Sequence, residues 1–183
     1  MTDYPLCLRT VLDGALHKFA RRPALVADGR TWSYADLDTA SNRLANALVA
    51  LGVGPSTPVA LMMSNSAEYV VADLAVIKLG AAKVPLNDML SADEAAYILS
   101  DSGAVVAIAD AKQVEVAARR LATRETLHTV IVTEETQRPG VLAWRDVLAG
   151  GSEEPPVADI SSGDVGVMMY TAPSAVVGTL PKP

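Results

Sequence analysis

The run Val59-Ala-Leu-Met-Met63, the polar step Ser64-Asn-Ser66, the segment Ala67-Glu-Tyr-Val-Val-Ala-Asp-Leu-Ala-Val-Ile-Lys-Leu79, then Gly80 and Ala82-Lys-Val-Pro-Leu86, decide the fold. The first run is continuously apolar, as expected of a strand buried on both faces. Asn65 and Ser66 are helix caps, and Gly80 stops the helix because glycine adopts the left-handed conformation without strain. A second short apolar strand follows at 82–86. Strand, helix, strand in so few residues is a parallel crossover unit.

Working outward, the same alternation continues on both sides. Val11, Leu12, Ala15, Leu16 and Phe19 have helical spacing over Thr10 to Ala20. Ala24 to Ala27, the turn signal Asp28-Gly29 and Thr31-Trp32 predict a β-hairpin. Ser33 caps a helix over Tyr34 to Leu51, which Gly52 ends. Downstream, Ser91 with Glu94 forms a capping box for a helix to about Ser100. Val105 to Ala109 and Thr129 to Val132 read as strands, separated by a helix that Asp110 caps and that runs to about Ala122. Trp144 to Leu148 reads as a short helix, residues 150–164 as a polar linker, and Val165 to Tyr170 as a last strand. This βαβα order predicts an α/β fold with a mostly parallel sheet and helices on both faces.

Length and composition set limits. The chain has 183 residues, enough for one domain with a core. Half the residues are hydrophobic and a fifth charged, so the chain is globular rather than disordered. Its Ala- and Val-rich composition is what a GC-rich bacterial genome produces. A net charge of −6 disfavours nucleic acid as a partner. Arg119, Arg120 and Arg124 read as a solvated helix face. The single cysteine, Cys7, excludes an internal disulfide. The N-terminus lacks an apolar signal core, and the most apolar region, Tyr69 to Leu86, is interrupted by Asp73, Lys78, Lys83 and Pro85. No transmembrane segment is expected, and a cytoplasmic location is.

Few motifs carry chemistry. GxSxG, HExxH and CxxC are absent, and His17 and His128 are isolated. Gly52-Val-Gly54 follows a helix, so it is a helix stop and not a dinucleotide fingerprint. One stretch has the composition of a phosphate cradle. After Met168-Met-Tyr170 come Thr171, Ser174, Gly178, Thr179 and Lys182. Hydroxyls and free amides donate to phosphate oxygens, glycine permits close backbone approach, and lysine supplies charge. The same composition fits a disordered C-terminal tail.

Several segments, in order, resemble the adenylate-forming ligases of the acyl-CoA synthetase type. They are Gly29-Arg-Thr-Trp-Ser-Tyr-Ala-Asp-Leu37, Ser41-Asn-Arg-Leu-Ala-Asn-Ala-Leu48, Leu51-Gly-Val-Gly54, Val59-Ala-Leu-Met-Met-Ser-Asn-Ser-Ala-Glu68, Gly80-Ala-Ala-Lys-Val-Pro-Leu-Asn87 and Tyr97-Ile-Leu-Ser-Asp-Ser-Gly-Ala104. The resemblance covers roughly residues 8 to 171. The resemblance implies the N-terminal lobe of that fold and a two-step reaction. A carboxylic acid and ATP, with Mg²⁺, give an acyl-adenylate and pyrophosphate, and coenzyme A then accepts the acyl group. The opening resembles fatty-acid–CoA ligases most. Asn65-Ser66-x-Glu68 still reads as a helix start and Pro85-Leu86-Asn87 as a strand exit and turn.

The resemblance also assigns Tyr170-Thr171 to the start of the family's phosphate loop, Tyr-Thr-Ser/Gly-Gly-Thr-Thr-Gly-x-Pro-Lys-Gly, and Pro181-Lys182 to its end. The centre departs from it: Ala172-Pro-Ser-Ala-Val-Val177 replaces the glycine- and threonine-rich core, and Pro183 stands where glycine belongs. Proline lacks an amide donor and paired valines are stiff, so weak or no phosphate binding is expected. The division expected is 1–164 as N-terminal α/β subdomain and 165–183 as last strand plus altered loop. The adenine site, acyl pocket and small C-terminal domain are expected beyond the chain, which is predicted inactive alone. A stand-alone, non-catalytic binding or regulatory module is the alternative. An unrelated doubly wound nucleotide-binding protein fits less well, since no glycine-rich turn follows an early strand. The edge at 165–170 is expected to be apolar and to favour a homodimer.

Overall fold

The computed structural model describes residues 8–123, 126–161 and 163–170. Helix α1 (Leu8–Lys18) precedes a separate antiparallel hairpin of β1 (Pro23–Ala27) and β2 (Arg30–Ser33). Asp28 and Gly29 both have positive φ, 50° and 74°, as the tight turn joining two twisted strands requires. Helix α2 (Tyr34–Ala50) starts at a full capping box. Asp36 N–H donates to the Ser33 hydroxyl at 3.1 Å, and Ser33 N–H donates to the Asp36 carboxylate at 2.8 Å. The Ser33 N–H, with the Ser33 hydroxyl second, holds the Asp36 carboxyl below its usual range.

Then come β3 (Pro58–Met62), α3 (Ala67–Leu79), β4 (Ala82–Pro85), α4 (Ala92–Asp101), β5 (Val106–Ala109), α5 (Val114–Thr123), β6 (Thr129–Val132), β7 (Val141–Ala143) and α6 (Trp144–Gly150). The five strands pair in parallel in the order β4-β3-β5-β6-β7. Alternate residues serve opposite faces, as the strand period dictates. Val59 and Leu61 join α2, α3 and α6 in one core, around Leu44, Leu48, Val76, Ile131 and Trp144. Ala60 and Met62 join α4 and α5 in the other, around Ile98, Leu99, Ala107 and Val130. The predicted α/β fold, with a parallel sheet flanked by helices, is what forms.

Four details differ from the sequence reading. Residues 141–143 form the edge strand β7, which three residues with one exposed leucine do not announce. Helix α5 begins at Val114, because Asp110 accepts the N–H groups of Lys112 and Gln113 and so caps a preceding turn. The expected last strand at 165–170 is a single parallel bridge, Val167 to Lys83, beside β4. The expected linker is a strap held by side chains of α1 and α2. Asn42 donates to Glu153 O at 2.8 Å, Asn46 donates to Ser152 O and Glu154 O at 3.1 and 2.8 Å, and Arg9 donates to Pro156 O at 3.1 Å. Its backbone groups find side-chain partners, which is why a polar, proline-bearing segment lies flat on the protein.

The strap ends in a latch. Ser56 donates its hydroxyl to Asp164 at 3.1 Å and accepts the Val165 N–H at 3.0 Å. From there residues 165–170 run alongside β4 and in the same direction.

Candidate functional site: a cleft at the carboxyl ends of β3 and β4

Open parallel sheets bind ligands outside the carboxyl ends of their strands, where successive connections leave toward opposite faces. Here the chain leaves β3 into α3 on one face and leaves β4 into α4 on the other. Between these exits lies a cleft of about 780 Å³. Ser64 and Asn65 reach it from the end of β3, Leu86, Asn87 and Asp88 from the end of β4, and Asp93, Glu94 and Tyr97 from α4. Tyr69 of α3 and Met169 and Tyr170 of the final segment complete the wall.

Local chemistry fixes each wall. Ser66 caps α3 by accepting the Tyr69 N–H at 3.1 Å, so Asn65-Ser66-x-Glu68 is the helix start that its residue types predict. Asn87 accepts the Met89 N–H at 2.9 Å, which makes Pro85-Leu86-Asn87 the expected strand exit and turn. The Asp110 carboxylate accepts from both N–H and hydroxyl of Ser64, at 3.0 and 3.1 Å, and ties the exit of β3 to that of β5. Ser91 and Glu94 form the predicted capping box of α4, and the Ser91 hydroxyl and N–H hold the Glu94 carboxyl below its usual range.

Tyr170 closes one side. Its hydroxyl donates to Asp101 Oδ2 at 2.7 Å. Removal from water, with the Asp101 carboxylate second, pushes the phenol up to about 12. The sign follows: between the ordinary value of 10 and about 12 the folded chain holds a proton that the unfolded chain releases, so this pair loses stability as pH rises through that window. Titrating absorbance near 295 nm is expected to show one of the five tyrosines ionising late. Asp101→Asn is expected to bring that step earlier, and an unchanged late step would refute the assignment.

The sequence-predicted site residues Thr171, Ser174, Gly178, Thr179 and Lys182 lie outside the described residues. Tyr170, their immediate predecessor, stands in the cleft wall. Among the described lining residues the charges are Asp88, Asp93 and Glu94, with no cation. That set supplies no positive charge to the phosphates of a nucleotide, and no group of three or more His, Cys, Asp and Glu among the described residues could hold a metal ion. Sequence reasoning did not assemble the cleft. The available signal was position, since part of its wall, Ser64 and Asn65 and then Leu86 to Asp88, directly follows two apolar strands.

The pattern that describes AMP-binding enzymes matches residues 12–174. The chain belongs to the AMP-binding enzyme family. Within it, the chain is 34% identical over 184 aligned residues to the phosphinothricin tripeptide synthetase PhsC of Streptomyces viridochromogenes, covering 97% of this chain and 16% of that protein. It is 34% identical over 152 residues to the long-chain-fatty-acid–CoA ligase FadD13 of Mycobacterium tuberculosis, covering 80% of this chain and 29% of that protein. The anthranilate CoA ligase AuaEII, solved with anthranoyl-AMP, superposes with a TM-score of 0.84 at 27% identity, over 94% of this chain and 34% of that one. The chain thus spans about a third or less of these relatives, and it corresponds to the N-terminal portion of the AMP-binding domain. Among the described residues no helix is long and apolar enough to cross a membrane.

Proposed function

We propose that this AMP-binding family chain is the N-terminal part of an ATP-dependent acid–thiol ligase of the fatty-acid–CoA type. The whole enzyme would join a carboxylic acid to AMP with release of pyrophosphate, then pass the acyl group to coenzyme A. Residues 1–164 would form its α/β subdomain and 165–183 the last strand and altered phosphate loop. The observation that carries the reading is the course of residues 163–170. They run beside β4 and bring Tyr170 to the cleft at the carboxyl ends of the strands. The likeness to FadD13 supports a fatty acid, and the equal identity to a tripeptide synthetase makes the acid the part to test.

In this reading Thr171, Ser174, Gly178, Thr179 and Lys182 are the groups that would meet the phosphates. With Ala172-Pro-Ser-Ala-Val-Val177 at the centre, the loop offers stiff, bulky side chains where close backbone approach is needed. No activity is therefore expected of the chain alone. ATP titrated with Mg²⁺ in a calorimeter is expected to give no saturable heat up to about millimolar concentration. A fatty acid, ATP and hydroxylamine are expected to give no trapped acyl product. Turnover by this chain would overturn the expectation. Saturable binding without turnover would favour the second reading, a non-catalytic binding module, which the altered loop centre supports.

A further inference from the structure

Residues 165–170 must take one register against β4, and the sheet does not choose it. In a parallel pair, every second residue of a strand turns its backbone groups toward a given neighbour. On the side of β4 away from β3 these are residues 81, 83 and 85. Ala81 N–H already donates to Val76 O at 3.1 Å, and Pro85 has no N–H. Lys83 therefore makes the bridge: its N–H donates to Gly166 O at 3.0 Å and its carbonyl accepts the Met168 N–H at 2.8 Å. Packing does not choose the register either. Met168 and Tyr170 pack against the second core, while Val165, Val167 and Met169 are exposed. A slip of two residues would keep both faces and exchange Met168 with a neighbour on its own face. It would move Tyr170 by about 6.6 Å along the cleft wall.

What is fixed lies just upstream. Ser56 is a non-glycine residue at φ 59°, and its N–H donates to Gly80 O at 2.8 Å, three residues before Lys83. Held there, its hydroxyl both donates and accepts: it donates to Asp164 at 3.1 Å and accepts the Val165 N–H at 3.0 Å. Asp164 is itself set by a closed turn. Its carboxylate accepts the Ser161 N–H at 2.6 Å, and its own N–H donates to Ser161 O at 3.2 Å. Ile160, just before that turn, sits against Gly80, where an added Cβ would meet its Cγ1 at 2.8 Å. Val165 is thus pinned two residues before Val167 reaches Lys83. An extended chain has no slack for a slip while that bond holds.

We propose that Ser56 and Asp164 are positioning residues for the cleft: they select Val167 as the partner of Lys83 and so set where Tyr170 stands in the wall. The bond from Tyr170 to Asp101 follows from that choice. The selection is independent of what the cleft binds.

Amide exchange resolved by NMR on the whole chain tests this. Ser56→Gly keeps the positive-φ turn, which glycine adopts freely, and removes only the hydroxyl. Asp164→Ala cuts the same latch from the strap. In each, Met168 N–H is expected to lose about tenfold or more of its protection, and Gly166 or Tyr170 to gain protection. Lys83 N–H is expected to stay protected, because every register satisfies it. Asp101→Asn releases the far end of the segment and is expected to leave Met168 protected. Full protection at Met168 in a latch variant whose β3 amides stay protected would overturn the proposal. Loss of that protection in Asp101→Asn would do so too, since the register would then be set at Tyr170. Exposure of Met168 and Lys83 together would also overturn it, because Ser56 would then attach the segment without choosing its register.

Discussion

Replacing Lys78 with alanine is expected to destabilise the chain by about 3 to 5 kcal/mol, a large part of the ~5 to 15 kcal/mol that holds a domain together. Lys78 sits within α3 at 1% exposure. Its ammonium donates to Asp38 Oδ1 at 2.5 Å, to Asn42 Oδ1 at 2.6 Å and to Asp38 O at 3.1 Å. Burial, partly offset by Asp38, holds its pKa below the ordinary lysine value. A lowered lysine pKa means the folded chain binds that proton less well than the unfolded one. Its penalty is complete below the folded value and fades as pH rises toward about 10.4.

The lysine is therefore no simple source of stability, and it is its removal that is costly. Alanine would leave a cavity, an orphaned Asn42 oxygen and a carboxylate facing it. Lys78→Met refills the volume, and the Asp38 carboxylate, 42% exposed, stays within reach of water. The methionine variant is expected to lose about half as much. Urea unfolding followed by circular dichroism measures both. Equal losses in the two variants would show that volume has no part in the cost.

Gly151→Ala is expected to cost about 3 kcal/mol, at the upper end for an inserted methyl group. A Cβ at Gly151 would lie 2.1 Å from the carbonyl oxygen of Arg43. That oxygen belongs to the backbone within α2 and cannot move aside without breaking the helix. The strap would lift instead, and the bonds from Asn42 and Asn46 to Ser152, Glu153 and Glu154 would go with it. Hydrogen exchange at residues 151–156 is expected to accelerate. Gly150→Ala, one residue earlier, meets nothing within 4 Å and is expected to be neutral or slightly stabilising. A Gly151→Ala chain as stable as its parent would mean that the strap does not rest on α2.

The sheet was legible because strands buried on both faces cannot hide in a sequence: 59–63, 105–109 and 130–132 are apolar throughout. Helix starts were legible for a related reason. Ser33, Ser66 and Ser91 satisfy free amides with side chains that lie within three residues of them. The site was less legible. The hydroxyls and lysine at 171–182 attract notice as a phosphate cradle, but the cleft is built from Tyr69, Asn87, Tyr97 and Tyr170, whose residue types are ordinary. Of these only Asn87 directly follows a strand end, and the others come to the cleft from α3, α4 and the final segment.

What the sequence determined by itself is local or periodic: the hairpin turn at Asp28-Gly29, the capped helices, the parallel crossover from 59 to 86, and through its ordered motifs the family. What only the tertiary structure decided depends on partners far away along the chain. A lysine read as an interruption in an apolar stretch is buried, because Asp38 and Asn42 lie one helix away to receive it. A polar linker is a docked strap, because α2 presents two asparagines, and α1 an arginine, to its carbonyls. Pairing of 165–170 is reduced to one bridge, because that segment reaches β4 at Lys83 alone. Sequence encodes bonds that close within a few residues, and it carries no comparable mark for bonds that close across a hundred.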